Sequence, residues 1–483
     1  MSTPQTFTLE QLQDIFSQLT GSTPTEDVGM HADDDLAEYA WKNAFGGNVV
    51  FNRALGWRYY RPGDAVWTVD PRGDKVASEV QSMMRDLRSN EKDQRRSQIL
   101  GSKTKRDAVV AMLAGLPEVA TTETHGWDEH PDLVAAPNGV IELRTGELLP
   151  GDPALRLTKA VRVPYDADAE CPRWERFISE VFAHDPELPG YVQRLLGYGL
   201  TGHVKEQCFA VLFGPSGANG KSTLLTALRN IAGPHAATVP FDMFTKTGKG
   251  RSGPDAELLL GARLALASET NRTAELDTAA IKNATGGEEI NVNPKYRDPF
   301  AFKPEALILL ATNYKPVVRD MDGGTWRRIK VLPFLQRFEG DNKDPHLEDT
   351  LREEYPGILA WLVRGAAAWY ADGLNEPASV TEAIAEYREE SDPVAEFIAD
   401  VITVDPVATT RTSMIWAAYM QWAEDEGKHA TFKDSGTLVR ALTERLGDAV
   451  TPVNERRYDG DRGDQLGKKG RGLRGVRVAA RAA

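Results

Sequence analysis

Ten consecutive residues, Gly214-Pro215-Ser216-Gly217-Ala218-Asn219-Gly220-Lys221-Ser222-Thr223, bring glycines, a lysine and two adjacent hydroxyls together. Residues without a Cβ let successive backbone N–H groups converge on phosphate oxygens. A lysine at this spacing reaches the β- and γ-phosphates of a nucleotide, and a serine hydroxyl beside it can ligate Mg²⁺. Phosphate contacts are therefore expected from Gly214, Gly217, Ala218, Asn219, Gly220, Lys221, Ser222 and Thr223. Five residues separate Gly214 from Gly220, one more than the usual phosphate-loop pattern, so the first glycine is displaced, while Gly217 and Gly220 still flank the turn.

Such a loop works only between a strand and a helix, because the helix N-terminus supplies the positive potential. Cys208–Phe213 is a short apolar run that reads as a buried strand, and Leu224–Ile231 reads as a helix. Two further apolar runs end in polar groups. Arg263–Glu269 ends in Glu269, expected to polarise an attacking water and, with Ser222, to stand at the Mg²⁺ site; Ser268 occupies the place where a second acid is common. Ala306–Asn313 ends in Asn313, whose amide can orient water or sense a γ-phosphate. Arg327 and Arg328 follow Gly323-Gly324 and are expected to stabilise transition-state charge as an arginine finger.

Alternating strands and helices over residues 207–335 define an α/β fold with a parallel sheet. Composition frames the rest. The 57 lysines and arginines against 71 acids give a net charge of −14, which argues against a surface that binds nucleic acid everywhere but not against a local basic loop. Two cysteines, Cys171 and Cys208, exclude a disulfide scaffold and fit a reducing cytoplasm. Met1–Gln5 lacks a basic and apolar leader, and no run of about 18 apolar residues exists, so a cytoplasmic protein without a membrane partner is expected.

Five segments are read along the chain. Residues 1–129 are mainly helical and of unassigned role, with a helix at Leu9–Leu19, a metal site or an acidic helix start at Asp33-Asp34-Asp35, a hairpin over Trp57–Trp67 turning at Pro62-Gly63, and basic residues between helices from Lys92 to Arg106 that form a solvated face or a DNA-facing surface. Residues 130–204 hold short strands and then helices at Trp174–Phe182 and Pro189–Leu200. Residues 205–345 form the α/β core and 346–392 a helical extension with Leu351, Ile358, Leu359, Leu362 and Val363 on one face. Residues 393–483 read as three short helices followed by strands, a winged-helix-like domain. It ends in nine basic residues (Arg456, Arg457, Arg462, Lys468, Lys469, Arg471, Arg474, Arg477 and Arg481) against four acids, a DNA-binding wing or a solvated tail.

Taken together, Gly217–Thr223, Ala267-Ser268-Glu269-Thr270, Lys282–Glu288, Tyr296–Phe300, Ala311-Thr312-Asn313 and Trp326–Ile329 resemble, in order and spacing, the superfamily 3 helicases, specifically the phage, plasmid and poxvirus-type primase-helicase C-terminal family. The resemblance covers about residues 130–340 and implies an AAA+-like hexameric ring with ATP and Mg²⁺ between subunits, translocating on single-stranded or forked DNA. It also implies that the segment after Thr285-Gly286-Gly287 is a hairpin facing the ring channel. There Lys295, Tyr296 and Arg297 supply two cations and an aromatic for phosphate contact and base stacking. Too few residues precede Asp33 to hold a primase module, so priming is expected to belong to a separate chain. Two alternatives stand beside the leading reading of a helicase of phage or mobile-element replication. One is a replication initiator or remodelling ATPase without processive unwinding, and the other is a P-loop kinase of a small molecule.

Overall fold

The computed structural model describes residues 32–123, 125–246, 254–268, 274–292, 300–319, 323–426, 432–456, 458–459 and 469–478. The helix expected over Leu9–Leu19 lies outside them. The chain divides into two compact units, Met1–Trp127 and Asp128–Ala483.

In the first unit, helix Asp33–Tyr39 carries Asp33, Asp34 and Asp35 in its first turn, where the positive end of the helix dipole favours acids. Helices Asp74–Asn90, Gln94–Leu100 and Lys103–Leu113 follow. Val76, Val80 and Met84 recur at helical spacing and bury against Val109, Leu113, Phe45 and Trp57. Strands Val49–Asn52, Gly56–Tyr59 and Thr68–Asp70 form an antiparallel meander. The expected hairpin is the pair Gly56–Tyr59 and Thr68–Asp70, whose connection turns at Pro62-Gly63 with Asp64 N donating to the Arg61 carbonyl at 3.0 Å. A second turn, at Arg53–Leu55, joins the first two strands, and Asn52 Oδ1 fixes it by accepting from the N–H groups of Ala54 and Leu55 at 2.8 and 3.1 Å, an Asx turn. The basic residues of 92–106 sit mostly on the second and third of the three consecutive helices, not between them.

The second unit is organised by a parallel sheet. Its strands, in chain order, are β1 (Phe209–Phe213), β2 (Ala236–Thr238), β3 (Leu264–Ser268), β4 (Leu307–Thr312) and β5 (Ile329–Pro333), and they lie side by side as β5-β1-β4-β3-β2. The central strands β1, β3 and β4 are nearly continuous apolar runs, as strands covered on both faces must be. Alternate residues feed two cores: Ala210, Leu212, Leu266 and Leu309 face one, and Val211, Ala265, Ile308 and Leu310 the other. Phe213 is in register with Thr312 and Pro333, and Ser268 with Ala311, so the C-terminal ends of β1, β3, β4 and β5 share one edge.

Before the sheet come a small antiparallel sheet of Leu133–Ala136, Gly139–Glu142 and Glu147–Leu149 and the helices Pro172–Val181 and Leu188–Tyr198. After it come helices Leu347–Glu353, Tyr355–Asp372 and Ala378–Glu390. Helices Leu188–Tyr198 and Tyr355–Asp372 cross almost backbone to backbone. A Cβ on Gly197 would stand 2.2 Å from the Ala366 nitrogen, and one on Gly365 2.1 Å from the Gln193 carbonyl oxygen. Alanine raises helix propensity by about 1 kcal/mol over glycine, but overpacking against immovable backbone costs about 1–3 kcal/mol or more. Gly197→Ala is therefore expected to lower the chemical-denaturation midpoint with the loss of about 1 kcal/mol or more, whereas a Gly217→Ala control, whose Cβ would meet nothing within 4 Å, should leave it in place.

The C-terminal segment runs helix Pro393–Val401, strand Ile402–Arg411, helices Thr412–Asp425 and Ser435–Leu446, then strands Thr451–Glu455 and Gly470–Val478. The last strand is central in an antiparallel sheet. The expected order of three helices and then strands thus needs correction: a long strand intervenes after the first helix. It is an edge strand, which tolerates Pro406, and its pairing shifts register between Asp405 and Thr409. The basic end is also not a uniform patch of free cations. Arg474 pairs with Glu455 at 2.5 Å and Arg477 with Asp405 at 2.8 Å. Arg457, Arg462, Lys468 and Arg481 lie outside the described residues. Among the described residues no helix is long and apolar enough to cross a membrane.

Candidate functional site

At the C-terminal edge of the sheet, β1 runs into the loop Gly214–Gly220 and then into helix Lys221–Ala232. The loop's shape depends on two glycines. A Cβ at Gly214 would lie 2.1 Å from Asn219 Nδ2 and 2.9 Å from Lys221 Nζ. Gly220 has φ +88°, a left-handed conformation that side chains rarely adopt, and its Cα faces Val181 and Phe177 so closely that a Cβ would meet them at 2.9 and 3.0 Å. The displaced Gly214 is thus the residue over which the lysine folds back. Ala218 also has positive φ, at 56°, and its carbonyl accepts from Phe338 N at 2.8 Å.

Lys221 opens the helix and is buried at 7% exposure. Its ammonium donates to the Gly214 carbonyl at 3.1 Å, to Asn219 Oδ1 at 3.0 Å and to Asn313 Oδ1 at 2.9 Å. All three acceptors are neutral. Burial pushes the Lys221 ammonium down to a pKa of about 8, because a desolvated cation next to neutral oxygens favours losing its proton. Asn219 is itself buried and anchors the loop by donating to the Ser216 carbonyl at 2.7 Å. Asn313 follows directly on β4, so the parallel register brings two residues 92 positions apart onto one ammonium. Ser222 is exposed and Thr223 half-buried beside it, and Gly217 and Ala218 leave the crown of the loop open. The arrangement is a buried cation at a helix N-terminus beneath an open ring of backbone, the electrostatic setting for a polyanion.

Of the other expected site residues, Glu269, Lys295, Tyr296 and Arg297 lie outside the described residues. Ser268, the residue before Glu269, ends β3 exposed on this same edge. Strands Ile290–Val292 and Phe300–Phe302 pair antiparallel and are the arms on either side of the segment that carries Lys295, Tyr296 and Arg297.

Arg327 and Arg328 are not brought to the loop. They precede β5, and the Arg328 carbonyl accepts from Phe209 N at 2.7 Å, which puts the pair at the N-terminal edge of the sheet. Five strand residues at about 3.3 Å each separate that edge from Gly214, roughly 16 Å. The two arginines also differ. Arg328 is buried and donates to the Gly324 carbonyl at 2.5 Å and to Gln207 Oε1 at 3.2 Å. Arg327 is exposed, touches Gln207 Oε1 at 3.3 Å, and lines a cleft of about 890 Å³ with Trp326, Arg388 and, across it, Arg445. Sequence reasoning missed Gln207, which orients both guanidinium groups. Its only local mark is a positive φ of 48°, which is not legible in its residue type. It also missed Lys315, two residues past Asn313, which pairs with Glu390 at 2.8 Å, while Tyr387 on the same helix donates to the Pro316 carbonyl. Among the described residues, no group of three or more His, Cys, Asp or Glu could hold a metal.

A family model described as D5 N terminal like matches residues 38–183, and a family of unknown function (DUF5906) matches residues 212–328. A protein of Acanthamoeba polyphaga mimivirus, provisionally named as a helicase, is 31% identical over 297 residues, covering 57% of this chain and 31% of the relative. One from Frog virus 3, also provisionally named as a helicase, is 26% identical over 253 residues, covering 48% and 26%. One from African swine fever virus, provisionally named as a primase, is 22% identical over 328 residues, covering 61% and 33%. The chain thus spans about a third or less of the length of these relatives. Among solved structures, the NrS-1 C terminal region in its apo form aligns with a TM-score of 0.47 at 14% identity, covering 89% of this chain and 88% of that one. Together the two matched family models and the viral relatives indicate the phage and viral primase-helicase family.

Proposed function

We propose that the chain is an ATP-dependent DNA helicase of viral or mobile-element replication, a hexameric ring that hydrolyses ATP between subunits and translocates on single-stranded or forked DNA. The observation that carries this reading is Lys221: a buried ammonium that, among the described residues, donates only to neutral oxygens, under an open glycine loop at a helix N-terminus. The residues fit a nucleotide polyphosphate. Lys221 and the loop N–H groups would hold the phosphates, and the exposed Ser222 hydroxyl, with Glu269, would hold Mg²⁺, whose role is to neutralise the charge that builds on the phosphoryl oxygens. Asn313 takes the place of a γ-phosphate sensor on β4, next to β1 in the sheet.

The position of the arginines supports the ring over a small-molecule kinase. A kinase works within one chain and needs its transition-state cations near its own loop, whereas Arg327 lies at the far edge of the sheet and is exposed, as a group acting on a neighbour's nucleotide must be. The sheet order, with the sensor strand inserted between the phosphate-loop strand and the acid-bearing strand, supports an AAA+-like P-loop core. The helix–strand–helix–helix–strand–strand order of residues 393–478 supports a winged-helix-like C-terminal domain.

The test couples mass to work. Native mass measurement with a non-hydrolysable ATP analogue, with and without single-stranded DNA, should give six subunits, and ATP should drive strand displacement from a forked duplex. A hexamer that hydrolyses ATP but displaces no strand would move the assignment to a remodelling ring. A monomer whose ATPase is indifferent to DNA would overturn it.

A further inference from the structure

The structure assigns a second nucleic-acid contact to the N-terminal unit: an exposed basic face, formed where its three consecutive helices meet, that grips the phosphate backbone of duplex DNA. Between Arg85 and Arg106 the chain holds eight lysines and arginines against three acids, in a protein whose net charge is −14. The fold gathers them. Arg88, in the last turn of helix Asp74–Asn90, donates through Nε to Ser97 Oγ at 3.3 Å on helix Gln94–Leu100. Its Nη1 stands 2.7 Å from where a Cβ on Gly101 would be, at the entrance to helix Lys103–Leu113. Lys92, Arg95, Arg96 and Lys103 are all exposed around this junction. Among the described residues none of these four has a carboxylate within ion-pair distance, whereas Lys105 is held by Asp33 at 2.7 Å and Arg106 by Asp107 at 2.6 Å.

Two of the three acids are turned toward the backbone. Asp93 caps helix Gln94–Leu100 by accepting from Arg95 N and Arg96 N at 2.8 and 3.0 Å, and Glu91 accepts from Asp93 N at 2.8 Å. These caps hold Arg95 and Arg96 in the first turn of the helix. The N-terminus of helix Lys103–Leu113 adds its own positive potential to the same junction.

The chemistry of the face selects its ligand. Residues 85–106 include no aromatic side chain, so there is no platform for stacking unpaired bases, which is how single strands are held. Exposed cations remain, and they match the highest linear density of phosphate, that of a duplex, without regard to sequence. The inference concerns a different unit from the ATPase reading and stands or falls apart from it.

The test uses the full chain with Lys92→Gln, Arg95→Gln, Arg96→Gln and Lys103→Gln combined, since all four side chains are exposed and their loss leaves the core intact. Binding of a labelled mixed-sequence duplex, followed by fluorescence anisotropy across a salt series, should weaken at least about tenfold at low salt, and the slope of log affinity against log salt should flatten by about 0.9 for each phosphate contact removed. Arg95→Lys with Arg96→Lys, which keeps the charge, should bind as the parent does. Single-stranded oligonucleotide binding and DNA-free ATPase should be unchanged. Unaltered duplex affinity and salt slope in the quadruple variant would overturn the proposal, and so would a loss confined to single strands.

Discussion

A Lys221→Ala chain is expected to fold as the parent does and to turn over no ATP above background. The substitution leaves Asn219 Oδ1, Asn313 Oδ1 and the Gly214 carbonyl without their shared donor, at a cost of about 1 kcal/mol for each that water does not re-pair, and the open crown of the loop admits water. The fold therefore survives while the buried cation beneath the loop is gone. The same side chain gives a pH signature in the parent. Its pKa of about 8 in the free protein lies below the ordinary lysine value near 10.4. A polyphosphate stabilises the charged form, so binding raises the pKa and draws in a proton when the pH lies above about 8. Calorimetry in two buffers of different ionisation heat should show proton uptake on ATP-analogue binding at about pH 9 and little near pH 6.5. Normal ATPase in a folded Lys221→Ala chain would remove the loop from the chemistry.

Arg327→Ala is expected to slow ATP hydrolysis on the order of 10³-fold, the lower range for arginine fingers, with nucleotide binding by the same chain intact. Arg328→Ala should behave differently. Arg328 is buried and ties Gly324 and Gln207 together, so its loss leaves the half-buried Gly324 carbonyl without this donor, while Gln207 keeps Arg327, and should lower stability by about 1 kcal/mol before it alters chemistry. The decisive measurement is mixing. Lys221→Ala chains lack the phosphate cation but keep the finger, and Arg327→Ala chains lack the finger but keep the cation. Co-assembled, they contain interfaces with both, and ATPase should partly return. Confirmed mixed assemblies with no recovery would mean that Arg327 does not act on a neighbour.

How much of this was legible depends on whether a feature is local. The loop was, because strand, glycines, Lys-Ser and helix follow one another without a break, and Asn313 was, because it directly ends a strand. The place of Arg327 and Arg328 was legible in principle. A chain that leaves β4 at the C-terminal edge and next forms a parallel β5 must return to the N-terminal edge, so residues just before β5 cannot stay by the loop. Gln207 was not legible, since it meets the arginines across 120 positions of sequence and its residue type carries no signal. The strand Ile402–Arg411 was hidden by Pro406, a residue that argues against a strand unless that strand lies on an edge. A count of basic residues at the C-terminus could not reveal that Arg474 and Arg477 meet Glu455 and Asp405, because those partners come from other strands.

The separation of Lys221 and Arg327 onto opposite edges of one sheet also constrains symmetry. A two-fold dimer pairs residues reciprocally, so it can complete two sites only by setting the copies antiparallel, each loop edge beside the other's arginine edge, and it then stops at two chains. A heterologous, head-to-tail contact completes one site and leaves a free loop at one end and a free arginine at the other. Such a contact repeats. If its rotation closes, every copy both gives an arginine and receives one. If it fails to close, the product is an open spiral whose first loop and last arginine stay idle. An ATPase of this design would then count its own assembly: activity per chain would rise with the length of the arc and reach its full value only when the last gap shuts.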